Sequence, residues 1–173
     1  MTGSLARRAV ISAVIVIAIV GVLIAWGGLR GGLHGLLTSH VDDVRDEMVK
    51  ILDGADSNDA AFSVLESPGF DSAQDIRNEP PDRYKTSFLK YGTTAVWSLA
   101  RVDGSISVFV VVSGTISESG FLSQRDESGY ACARITGTTE NPAATSWVDT
   151  NCSDLIEKYN VGADPSFTHV VLR

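Results

Sequence analysis

Residues Ala9 to Trp26 read AVISAVIVIAIVGVLIAW, without one charged side chain, and no other feature constrains the chain as much. As a helix rising 1.5 Å per residue, the run reaches about 27 Å. A bilayer core is ~30 Å thick, and Gly27 to Leu29 extend the run towards that length. Lipid offers the backbone no hydrogen-bond partner, so a helix is imposed even on the β-branched Val and Ile. Arg7 and Arg8 stand directly before the run, and every acidic residue follows it. The expected topology is a cytoplasmic amino terminus over residues 1–8, a transmembrane anchor over 9–29, and the remainder outside the plasma membrane. The alternative is a signal peptide cleaved near Gly27, giving a secreted form. A signal core spans only about 7–15 residues, and Trp26 suits an interfacial anchor.

Within the apolar run, Ala18, Gly21, Ala25 and Gly28 recur at helical spacing. Such a stripe of small residues lets two helix backbones approach closely in lipid, where packing drives association. Residues 30–38 are rich in glycine, each costing a helix about 1 kcal/mol relative to alanine. A flexible juxtamembrane linker is expected there, followed by one extracytoplasmic domain over 39–173.

Setting Arg7 and Arg8 aside leaves 12 of the 14 basic residues against 21 acidic ones, a net charge of −9 for the rest of the chain. That balance excludes nucleic acid, which is held through basic contacts to phosphate. It also disfavours docking on an anionic membrane surface. Cys132 and Cys152 are the two cysteines, both on the expected outer side, and read as a disulfide. Structural zinc takes four ligands, and the histidines at 34, 40 and 169 show no ligand spacing. The cluster Asp53, Asp56, Asn58 and Asp59 lacks the glycine at position six and the glutamate at position twelve of a calcium loop. No cofactor or metal is expected.

Past the linker, Val41, Val44, Met48, Ile51 and Leu52 share one helical face, predicting a helix over 39–52 started by Ser39 and stopped at Gly54. A second short helix is predicted over 55–67, capped by Asp59. Residues 70–83 read as a loop with one helical turn near Ala73 to Ile76. The segment Arg83–Gly92 is the basic region of the outer domain. Arg77, Arg83, Tyr84, Lys85, Lys90 and Tyr91 form a candidate partner patch there. Thr93–Ala100 and Ser105–Thr115 read as strands joined at Asp103-Gly104, a hairpin turn signal. The second is apolar on both faces, as in a covered central strand. A polar stretch over Ser117–Gly129, a strand over Tyr130–Thr136, a brief strand at Trp147-Val148, a helix over Ser153–Tyr159 and a terminal strand over Phe167–Leu172 complete the order. The fold class is α+β: an antiparallel sheet of about four strands packed by amphipathic helices and stapled by one disulfide.

The segment VIVIAIVGVLIA resembles the apolar segment of type IV pilins and pseudopilins. In that family a membrane helix runs into an amphipathic helix and an antiparallel sheet, often with a cysteine pair near the carboxyl end. Arg7 and Arg8 stand where the family's processing motif has glycine and phenylalanine, and Ser12 replaces its glutamate. The serine-hydrolase elbow, the phosphate loop and the H-E-x-x-H zinc motif are absent from the sequence. Ser87 and Lys90 match S-x-x-K without its companion motifs. The function expected is a non-enzymatic protein-interaction or assembly component of the cell envelope. Its partners are the bilayer through residues 9–29 and either another protein or a second copy of the chain. The alternatives are an anchored ligand-binding module with a pocket lined by Trp97, Phe109 or Tyr130, a pilin-like subunit, and an enzyme whose site is assembled from distant residues.

Overall fold

The structure, a computed structural model, describes residues 32–67, 70–78, 93–119, 124–153 and 167–172. The apolar run over 9–29, its stripe of Ala18, Gly21, Ala25 and Gly28, and the helix expected over 153–159 lie outside the described residues, save Ser153. Among the described residues no helix is long and apolar enough to cross a membrane.

Helix α1 covers residues 32–53. Leu33, Leu37, Val41, Val44, Met48 and Leu52 recur every three or four positions and are all buried. This stripe explains why the helix starts before Ser39: Leu33 and Leu37 extend the same face, and their burial outweighs the glycine cost at Gly35. Ser39 is therefore not the cap; its hydroxyl donates to the Leu36 carbonyl inside the helix, at 3.1 Å. Gly54 follows the last turn as expected, its N–H donating to the Lys50 carbonyl. Helix α2 covers Asn58–Glu66. Its cap is Ser57, whose side chain accepts from the Ala60 N–H, while Asp59 sits in the first turn and pairs with Arg101.

Among the described residues, six strands form one sheet: β1 (Gln74–Asp75), β2 (Thr94–Val102), β3 (Ser105–Ser119), β4 (Gln124–Gly137), β5 (Ser146–Asp149) and β6 (Phe167–His169). Strands β2 to β5 make an antiparallel meander. The sheet is mixed rather than wholly antiparallel, because β1 joins β2 in parallel and β6 joins β4 in parallel. Ala73 to Ile76 form strand and flank rather than a helical turn, since Ile76 buries itself beside Ala95, Val111 and Cys132 and donates to the Val96 carbonyl. The β2–β3 turn is Asp103-Gly104, both at positive φ (49° and 77°), the backbone that the Asp-Gly pair signals. The outer edge of β4 is shared: β5 pairs with Ala133–Thr136 and β6 with Ser128–Tyr130.

Of the polar stretch over Ser117–Gly129, residues 117–119 end β3 and residues 124–129 begin β4. Beyond Gly114↔Gly129 the β3–β4 ladder continues through Thr115↔Ser128 and Ile116↔Glu127 to Ser119↔Gln124. Thr115 and Ser128 share a hydroxyl hydrogen bond of 2.8 Å, and Ile116 packs on the core. Backbone pairing and alternation sustain these strands where apolar content alone gives no signal.

One sheet face carries the main core. Val108, Val110, Val112, Ala131, Ala133 and Ile135 point at α1. At both ends of this lane glycines replace side chains. A Cβ on Gly114 would stand 2.7 Å from Leu36, one on Gly129 3.0 Å from Leu33 and from the Thr168 carbonyl oxygen, and one on Gly137 2.7 Å from Leu52. Helix α1 thus runs from Gly129 at its Leu33 end to Gly137 at its Leu52 end. Trp147 on β5 closes the flank, its Nε1–H donating to Asp42 of α1 at 2.9 Å. At the Leu33 end, His34 Nε2 donates to the Leu172 carbonyl at 2.8 Å, and the Leu172 N–H donates to Asp149. The opposite face holds a smaller cluster of Ile76, Ala95, Val111, Tyr130 and the buried disulfide Cys132–Cys152, whose Cα atoms are 5.6 Å apart.

Gly129→Val is expected to lower stability by about 1–3 kcal/mol, because the clash includes a backbone oxygen that cannot rotate away. Gly35→Ala meets nothing within 4 Å and is expected to raise stability by up to about 1 kcal/mol. Urea unfolding midpoints of the two variants check both signs.

Candidate functional site

Where β1 leaves the sheet, a cleft of about 480 Å³ opens between α2 and the edge of β2. Phe62 and Glu66 of α2 form one wall, Trp97, Ser98 and Leu99 of β2 the other, and Arg77 and Asn78 the end. Its shape originates in a bulge. The β2–β3 register passes from Val96↔Val110 to Ser98↔Phe109, leaving Trp97 as the extra residue. A bulge re-aims its side chain and bends the strand. The Trp97 ring lies 5.5 Å from Phe109, and its indole nitrogen is buried without a hydrogen-bond partner among the described residues.

Arg77 holds the end of the cleft. Its Nε donates to Asp75 Oδ1 at 2.9 Å, and its Nη2 reaches Asp75 Oδ2 at 2.5 Å. Nη2 also donates to the carbonyls of Leu65 and Glu66, at 2.9 and 3.1 Å. These are the last carbonyls of α2, which otherwise lack partners and carry the negative end of the helix dipole. The guanidinium hydrogen bond holds the Asp75 carboxyl below its ordinary range, and the same contact raises Arg77.

The other end of α2 is fastened as closely. Asn58 donates to the Gly104 carbonyl at 2.9 Å and accepts from the Thr139 N–H at 2.8 Å, tying α2 to the β2–β3 turn and to the chain after β4. Arg101 pairs with Asp59 and lies over the Phe62 ring at 4.2 Å. A smaller hollow of about 230 Å³ lies beside these groups.

The cleft offers an aromatic wall, a carboxylate at Glu66, a hydroxyl at Ser98 and an amide at Asn78. Those groups suit holding a small polar ligand. His34 is engaged with the Leu172 carbonyl, and His169 lies 5.3 Å from the Tyr130 ring. Among the described residues no three His, Cys, Asp or Glu side chains gather as a metal site. Burial pushes the Tyr130 phenol up.

Of the residues singled out in the sequence, Cys132 and Cys152 are joined. Arg77 is engaged within the domain by Asp75 and α2. The remaining patch residues Arg83, Tyr84, Lys85, Lys90 and Tyr91 lie outside the described residues. Trp97 lines the cleft and Phe109 backs it, whereas Tyr130 packs in the cluster around the disulfide. The structural roles of Asn58 and Asp75 were not anticipated. Asp75 and Arg77 flank Ile76 at two-residue spacing, which places both charges on one side of an extended chain, a signal present in the sequence. No family model, curated protein or solved structure matches the chain.

Arg77→Ala is expected to cost about 1–3 kcal/mol at neutral pH by freeing the α2 carbonyls and Asp75. Because the folded Asp75 value is depressed, its contribution is fully present above the unfolded aspartate value of about 3.9. It is lost as pH falls through the folded value. The gap between wild type and Arg77→Ala, measured by urea unfolding, should therefore narrow at acid pH.

Proposed function

We propose that the chain is a single-pass membrane protein whose extracytoplasmic α+β domain serves, without catalysis, as an interaction or assembly component of the cell envelope. The observation that carries this reading is the buried Cys132–Cys152 disulfide. Disulfides persist in oxidising compartments and are rare in the cytosol. A bonded pair on the far side of the uncharged run therefore agrees with an amino terminus inside and the domain outside. The stripe Ala18, Gly21, Ala25 and Gly28 supplies a surface for association within the bilayer. Beside the cleft, Arg77, Asn58 and Arg101 are engaged in holding α2 to the sheet, which supports a structural rather than a catalytic use of these groups.

A second reading, an anchored module for a small polar ligand, is favoured by the 480 Å³ cleft beside Trp97. Such a ligand raises the melting temperature of the wild type and has a reduced effect on Trp97→Ala.

Affinity capture of the intact chain from mild detergent tests the main reading. The wild type is expected to elute as an oligomer or with a stoichiometric protein partner, and the double variant Gly21→Leu, Gly28→Leu to lose most of it. A lone monomer in both cases overturns assembly. Placement is checked separately: when cells are lysed directly into denaturant with an alkylating reagent, Cys132 and Cys152 should resist modification unless reductant is added, and free thiols in untreated cells would overturn the extracytoplasmic assignment. Reduction should also cost about 3 kcal/mol on the loop-entropy model for a 20-residue separation.

A further inference from the structure

We propose that the cleft between α2 and β2 binds a neutral saccharide unit. The inference rests on the second reading above, the module for a small polar ligand, and names its ligand class. At about 480 Å³ the cleft falls within the ~300–1,000 Å³ of small-molecule sites. Its polar side chains differ from their neighbours. Nearby, Asn58, Asp59, Asp75, Arg77 and Arg101 each have a partner inside the domain. Glu66, Asn78 and Ser98 line the cleft, and among the described residues their side chains make no hydrogen bond. Between them they offer a carboxylate that accepts, and an amide and a hydroxyl that both donate and accept. Phe62 and Trp97 stand beside these groups. The indole nitrogen is itself buried, so what the half-buried Trp97 ring exposes is carbon. Sugar hydroxyls give and accept hydrogen bonds, while the C–H faces of the ring pack on aromatic carbon.

Charge narrows the class. Arg77 is already held by Asp75 and by two carbonyls of α2, which leaves little of it for an anion, and Glu66 repels one. A cation meets Arg77 at the end of the cleft, and Arg101 already covers the Phe62 ring. A neutral ligand avoids both penalties. Shape excludes an extended peptide. The last pair of β1 with β2 is Asp75↔Val96, and Trp97, Ser98 and Leu99 of the cleft follow directly along β2. A peptide added there as a strand needs an even register, and the bulge at Trp97 breaks it. A compact ring has no such requirement.

The test titrates the full chain in detergent micelles with the methyl glycosides of glucose, galactose and mannose. Methyl glucuronate and methyl glucosamine supply a similar ring with a negative or a positive charge. The readout is the indole N–H resonance of Trp97, assigned by its absence from Trp97→Phe. The Trp147 N–H, held by Asp42, is the internal control of the fold. At least one neutral glycoside is expected to move Trp97 saturably, to leave Trp147 still, and to bind about ten-fold tighter than either charged ring. Glu66→Gln is expected to weaken that binding about ten-fold and to narrow the gap to the glucuronate. A charged ring that binds tighter than the neutral ones overturns the neutral class and leaves the small-ligand reading standing. If no sugar moves Trp97 but free serine, glutamate or lysine does, the saccharide inference falls and the small-ligand reading stands. If none of these probes moves it, both fall together. Sugar affinity unchanged in Glu66→Gln, with Trp147 at its wild-type position, overturns the assignment to this cleft.

Discussion

The distance between helix α1 and the sheet governs this domain. A helix can bury six consecutive stripe residues, Leu33 to Leu52, only against a surface flat enough to receive them all. Strand β4 provides it with Gly129, Ala131 and Ala133 under the helix and Gly137 at the far end, and β3 adds Gly114. Each missing side chain is filled by a leucine from the helix, so dispersion contacts replace what a larger strand residue would have supplied. The polar contacts at the rim follow from that closeness. Trp147 reaches Asp42, and His34 reaches the Leu172 carbonyl, because helix and sheet are near enough for side chains to cross.

The two faces of the sheet are stabilised differently. The α1 face relies on continuous apolar packing. The opposite face has a smaller apolar cluster built around a covalent bond, with Tyr130, Val111 and Ile76 gathered at Cys132 and Cys152. Helix α2, whose Ala61 and Leu65 join the main core, is held at both ends by single side chains that each satisfy several groups, Asn58 at its start and Arg77 at its finish. The cleft beside Trp97 lies between α2 and β2, where β1 departs and the bulge bends the strand.

Much of this was legible in the residue pattern. The stripe of α1 from Val41 to Leu52, the Asp103-Gly104 turn, the apolar strand through Val108 to Val112 and the cysteine pair each express a local rule, and local rules read directly from sequence. Other elements depend on partners distant in the chain. The ends of β3 and β4 are polar and find their strand identity in each other, and β1 exists because Ile76 docks beside Ala95. The linker reading of residues 32–38 gave way because Leu33 and Leu37 have a lane to enter, which propensity alone does not reveal. At the candidate site, Trp97 was legible as an aromatic on a strand, whereas the bulge that exposes it and the clamp made by Arg77 arise from tertiary geometry.

The direction of α1 along the sheet has a mechanical consequence. A tension applied at Leu33 along the helix axis would act on all six stripe residues at once, as in a lap joint. A tension normal to the sheet would open the same joint one turn at a time, beginning at the Leu172 carbonyl that His34 holds. The domain is therefore built to withstand sliding better than peeling, and its resistance depends on the angle at which the load arrives.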